Sequence, residues 1–245
     1  MDLPQLALRP FGRAEDLELE FGGCDRPGLV TDLLARCSDS QSTQFWWMQT
    51  VGTRIGALLR LLAFTESADR LPVQARCTEL VCAEAFEMEL PLAALVDQAQ
   101  SPVPLTMVLP ENRTVSLRPP TGEDLRHWQG ARYASRQEAV AAMIGALVID
   151  GPVTPADEPA LAEALSAWDP LVAFTVSCHC PVCGIENDVQ LDLESVVLAR
   201  LDTRQRALLQ DVHRLASHYG WTESEVLAIA PARRARYLAL IEDAR

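Results

Sequence analysis

Lysine is absent. All 21 basic residues are arginine, which excludes Schiff-base chemistry and any phosphate loop that depends on a lysine. Histidine is scarce, at 4 residues. His213 and His218 stand five apart, so on one helix they point to different faces, and His127 beside Trp128 reads as a surface residue. No Ser-His-Asp pattern, HExxH or glycine-rich phosphate loop occurs. Long apolar runs are also missing. Nothing approaches the roughly 18 residues that mark a membrane-spanning helix. The amino terminus, Met1-Asp-Leu-Pro, has no basic stretch leading into an apolar one, so no secretory signal is expected and the expected location is the cytoplasm.

Positive charge is in short supply. The formal net charge is -13, and it is concentrated in the middle of the chain. Residues 77–199 carry 5 arginines against 18 acids, whereas residues 200–245 carry 8 against 6. An acidic middle argues against wrapping nucleic acid, because phosphate neutralisation needs a basic face. The tail keeps a local cluster, Arg233, Arg234 and Arg236. It reads either as a solvated helix face or as a docking site for an acidic partner.

What the chain does have is apolar mass, 49% of its residues, and 7 cysteines. Seven is odd and too scattered for a disulfide framework, and in a reducing compartment close cysteine pairs favour metal. Cys178-His-Cys-Pro-Val-Cys-Gly184 is the richest stretch. Within it, Cys180-Pro-Val-Cys183-Gly has knuckle spacing: two thiolates two residues apart, a proline shaping the turn, and a glycine letting the backbone fold over the sulfurs. Two further ligands are needed for a tetrahedral site. Cys77 and Cys82 supply them at a wider but workable spacing.

The local patterns place both pairs on hairpins. Pro72–Cys77 and Phe86–Leu90 read as strands flanking the first pair. Leu171–Ser177 and Val189–Leu193 flank the second. Each unit runs strand, knuckle, strand, helix. The expected site is one structural Zn²⁺ held by Cys77, Cys82, Cys180 and Cys183, pinning hairpins about 100 residues apart. Cys178 and His179 are reserve ligands, and Cys24 and Cys37 have no partner spacing. The competing reading is seven ordinary cysteines. A zinc deaminase is excluded, because the His-x-Glu element it needs upstream of its knuckle is absent.

The remaining elements follow from periodicity and caps. Asp16–Phe21 alternates and predicts a strand. Helices are expected over 27–37, 51–64, 135–148, 155–168, 194–219, 222–230 and 232–243. Thr121 with Asp124, Ser135 with Glu138 and Thr222 with Glu225 are capping boxes. Ala139, Ala142, Met143, Ala146 and Leu147 form the expected buried face of the 135–148 helix. The expected fold is α+β: zinc-ribbon-like hairpins, a mainly helical insertion at about 119–168 and a helical C-terminal extension. Three segments follow: 1–70, an N-terminal α/β segment with an apolar helix; 71–193, the clasped hairpins; and 194–245, the helical tail.

Two stretches resemble a known family. Leu117-Arg-Pro-Pro-Thr-Gly-Glu-Asp-Leu125 is similar to the R-x-P-T-G-x-D segment of baseplate proteins of T-even-like phages and of contractile injection systems. The tail from Asp211-Val-His-Arg-Leu-Ala-Ser-His-Tyr-Gly-Trp221 through Pro231-Ala-Arg-Arg-Ala-Arg-Tyr237 resembles the C-terminal helices of the injection-system members. So does the CPxCG knuckle before it. Relatives tend to carry C-x-x-C-G in the first hairpin as well. Here Glu79 stands in place of its first cysteine and Ala83 in place of its glycine, so Cys77 enters the ligand set on local pattern alone. The resemblance implies a non-enzymatic structural or assembly protein of a baseplate, whose partners are other baseplate or tail proteins. Arg118, Asp124, Trp221, Arg233, Arg234 and Tyr237 are its expected partner-binding residues. A zinc-ribbon adaptor for a regulator or a nucleic acid is the alternative. Neither a membrane nor a small-molecule substrate is expected.

Overall fold

Asp25 opens the first helix by accepting the Gly28 N–H, with Pro27 in the first turn where its missing N–H costs nothing. This computed structural model describes residues 7–99 and 103–243, and α1 is Arg26–Arg36. Ser42 caps α2, Thr43–Met48, whose Trp46 is fully buried and roots the aromatic cluster. Thr50 then caps α3, Val51–Glu66. Residues Val51 to Leu59 of α3 are buried without a break. A helix buried on all sides belongs at the centre of a fold, and Leu58, Leu59, Leu61 and Leu62 each gain roughly 1.5–3 kcal/mol from burial.

Around α3 lie α1, α2, the hairpin β1 (Arg70–Arg76) with β2 (Ala85–Pro91), the short α4 (Leu92–Asp97) and the first turns of α8 (Leu193–Tyr219). Strands β1 and β2 pair antiparallel from Arg70↔Pro91 to Arg76↔Ala85. Leu71, Val73 and Ala75 alternate onto the core. This principal core draws on each of the three sequence segments, from Phe11 through Leu90 to Leu201.

The insertion has a core of its own: Leu109, Val115, Leu117, Leu147 and Leu161. It comprises β3 (Leu105–Leu109), β4 (Arg113–Leu117), α5 (Gly122–Gly130), α6 (Arg136–Leu147), β5 (Val148–Asp150) and α7 (Glu158–Trp168), with sheet order β3-β4-β5. The second cysteine hairpin, β6 (Thr175–His179) with β7 (Glu186–Gln190), follows. It leads into α8, α9 (Glu223–Ala228) and α10 (Pro231–Asp243), which close on Val212, Leu215, Val226 and Ile241. No helix among the described residues is long and apolar enough to cross a membrane.

Three expectations need correction, and one strand has no counterpart among them. Residues 16–21 form no strand: Ala14–Glu18 is a 3-10 turn. Asp16 accepts the Gly12 and Arg13 N–H groups at 2.8 and 2.9 Å, and Arg9 at 2.7 Å, which ties the backbone into a turn. Helix α6 buries only Leu147. Ala142 and Ala146 are exposed, because no described element packs over them. The second hairpin is displaced along the sequence: Leu171 is buried in the turn before β6, and Leu193 opens α8 instead of ending a strand. Strand β5 had no recognisable pattern of its own. It extends the sheet because Gly151, at φ 91, passes so close to the Thr114 carbonyl that no side chain fits.

Candidate metal centre

Both hairpins end in turns built on one plan. In the first, the Cys77 N–H donates to the Glu84 carbonyl at 2.8 Å. In the second, the Cys180 N–H donates to the Ile185 carbonyl at 2.9 Å. Each acceptor lies two residues beyond the second cysteine of its pair, so Cys77 closes its hairpin with the bond that Cys180 makes in the other. The tight part of each turn also matches. Ala83 donates to the Glu79 carbonyl at 2.8 Å, as Gly184 donates to the Cys180 carbonyl at 2.9 Å. Glu79 therefore has the backbone role of a knuckle's first cysteine, while the ligand itself is displaced two residues back to Cys77. Ala83 (φ 46) and Gly184 (φ 74) share the left-handed conformation. A glycine adopts it freely, whereas an alanine is strained there.

The two turns meet. The sulfurs of Cys77, Cys82, Cys180 and Cys183 all lie within 4.8 Å of one another. Cys77 Sγ is 3.6 Å from Cys183 Sγ, and Cys82 Sγ is 3.8 Å from Cys180 Sγ. A tetrahedron with metal–sulfur distances of about 2.3 Å has sulfur–sulfur edges of about 3.8 Å. The donor set thus fits a four-thiolate metal site in both chemistry and spacing. Main-chain N–H groups point at the sulfurs: Glu79 at Cys77, Glu84 at Cys82, and Cys183 with Val182 at Cys180. Those of Cys183 and Val182 hold the Cys180 thiol down at about 7. Burial pushes Cys77 up to about 12. Loading a metal requires the set of thiols to give up its protons.

The reserve ligands stay outside. Cys178 is half-buried in β6, opposite Asn187 in the register, and His179 is exposed at the strand's end. Neither joins the four sulfurs among the described residues. Cys24 is exposed. Cys37 is buried beneath Arg9, and burial raises its thiol to about 12.

Sequence reasoning missed Asn187. Its amide is buried in β7, where Oδ1 accepts both the Thr78 N–H at 2.7 Å and the Thr78 hydroxyl at 2.8 Å, while Nδ2 donates to the Ile185 carbonyl at 2.7 Å. One side chain thus links the first knuckle to the second without a metal. The signal available was a polar residue at an inward position of an alternating strand.

Beyond the sulfurs, the knuckle tips are apolar and open. Leu80 is 92% exposed and Val81 95%, with Val182 and Ile185 beside the second pair. The acids Glu79, Glu84 and Glu186 flank these residues in sequence.

The other expected site residues fall into two groups. Arg118 and Asp124 form a bidentate pair at 2.6 and 2.7 Å, and Asp124 also accepts the Thr121 N–H and hydroxyl. This segment docks the insertion on the principal core: Val51 donates to the Pro120 carbonyl at 2.9 Å, and Gly122 donates to the Gln49 carbonyl at 3.0 Å. A methyl group at Gly122 would overlap the buried Arg54 guanidinium. Trp221 and Tyr237 are half-buried and pack with Tyr219, at ring separations of 4.5 Å for Tyr219–Trp221 and 5.1 Å for Trp221–Tyr237. Arg233 is exposed, but Arg234 turns inward, so the basic cluster is not a uniform solvated face. The chain matches no family model, no curated protein and no solved structure.

Proposed function

We propose that the four cysteines hold one structural Zn²⁺ and that the chain is a non-enzymatic structural or assembly protein of a phage-like contractile injection baseplate. The observation that carries the first half is the convergence of four sulfurs from turns 98 and 106 residues apart in sequence, at the edge lengths of a zinc–thiolate tetrahedron. Four thiolates fill such a shell and leave no position for a reacting water, so the metal's work is to hold the chain in shape. The second half rests on the resemblance of the Arg118–Asp124 segment and of the C-terminal helices to baseplate proteins. The open apolar tips at Leu80, Val81 and Val182, flanked by acids, favour a protein partner over a nucleic acid.

Two experiments test these halves separately. Metal analysis of the purified protein should find one zinc per chain, lost in Cys183→Ser. Deleting the gene in the organism that encodes it should abolish assembled contractile particles. Normal, contracting particles in the deletion strain would remove the baseplate reading and leave the zinc reading intact, with a zinc adaptor for a regulatory protein as its remaining form.

A further inference from the structure

A cleft of about 290 Å³ opens between the N-terminal stretch Arg9–Arg13 and the C-terminal helices. Four arginines line it: Arg9, Arg13, Arg204 and Arg234. That is a concentration of positive charge in a chain of net charge -13. Two of the four are accounted for. Arg9 is bidentate on Asp16 at 2.7 and 2.8 Å, and the exposed Arg13 lies 3.9 Å from Glu15.

Arg204 of α8 and Arg234 of α10 are different. Each has a buried Nε with no hydrogen-bond partner among the described residues. Arg234 is only 5% exposed. Asp211 attracts its charge and Arg204 repels it, and burial, the largest influence, lowers its pKa. Burying a cation with no hydrogen-bonded counter-ion among the described residues is costly, and burying it beside a second cation is costlier. Arg54, whose Nε is also unpartnered, is not comparable. It spends its Nη groups on the Trp46 and Pro27 carbonyls at 3.3 and 2.7 Å and lies over the Trp47 ring. Pro231, the first residue of the 13-residue α10, also lines the cleft.

We propose that this cleft binds a phosphate group, as the free ion or as a small monoester, between the guanidinium groups of Arg204 and Arg234. Guanidinium forks match the oxygens of a tetrahedral oxyanion. Phe11 and Leu208 also line the cleft and would give a small monoester an apolar wall.

The test is binding and thermal stability of the full chain at fixed ionic strength, with inorganic phosphate, glycerol phosphate, succinate and a chloride control. The expected result is saturable binding and a raised Tm with phosphate or its ester, and no effect of succinate beyond chloride. Tighter binding of the ester assigns the apolar wall to the ligand's body, and equal binding assigns the free ion. Arg234→Met should weaken binding at least tenfold while leaving the Tm without phosphate unchanged or higher, since it removes an uncompensated charge. Arg204→Gln provides a second variant with the same expectation. No saturable binding by either phosphate, binding by succinate alone, or variants that lose stability yet bind phosphate normally would each overturn the proposal.

Discussion

Ala83 occupies a left-handed backbone position that Gly184 fills without strain in the matching turn. Ala83→Gly should therefore stabilise the fold by about 1 kcal/mol, read from chemical denaturation of the zinc-loaded protein. Asn187 makes the opposite case. Asn187→Ala strands the Thr78 N–H and hydroxyl beneath the knuckles, and a loss of about 1–3 kcal/mol is expected in the same assay. A third residue sets the response to acid. Burial pushes Asp16 up, but Arg9 and the Gly12 and Arg13 N–H groups outweigh it and hold its carboxyl below the usual carboxylate range. A lowered folded pKa means the stabilisation is complete above the unfolded value of about 3.9 and is lost as pH falls through the folded one. Tm measured between neutral pH and about pH 3 should fall less steeply in Asp16→Asn than in the parent, from a lower starting value. At this scale the cysteines, the caps and the Thr121–Asp124 box were legible, because each is a local pattern of residue types. Asn187, Arg54 and Arg234 were not, because what they touch lies far away in sequence.

Elements with one clear period were equally legible. The alternation in β1 and β2 and the apolar run of α3 follow from which faces are covered. Helix α6 shows where that logic stops. Its run from Ala139 to Leu147 is apolar on several faces, and sequence alone does not say which face meets a neighbour. The structure seats Leu147 in the insertion core and leaves Ala142 and Ala146 open. Leu147→Ala should therefore cost about 2–5 kcal/mol, whereas Ala142→Gln should change stability by less than about 0.5 kcal/mol. Comparable losses in both variants would mean that the outer face of α6 is covered. The turn at Ala14–Glu18 and the strand β5 escaped notice for related reasons. Side-chain bonds to Arg9 override an alternating pattern in one, and a three-residue strand depends on Gly151 and a neighbouring edge in the other.

Across the whole molecule, the cysteine centre closes a loop of about 100 residues, with the insertion inside it and the C-terminal helices immediately after. The principal core does not include the four sulfurs, so it should survive their loss. Stripping the metal with a chelator should lower Tm and loosen the hairpin turns while most of the helical circular dichroism remains. Zinc-edge X-ray absorption of the purified protein decides whether this centre is a four-thiolate zinc site. The expected result is one zinc per chain with four sulfur neighbours at about 2.3 Å. A protein purified without zinc that takes up none when supplied, or a zinc shell containing nitrogen, oxygen or fewer than four sulfurs, would contradict it.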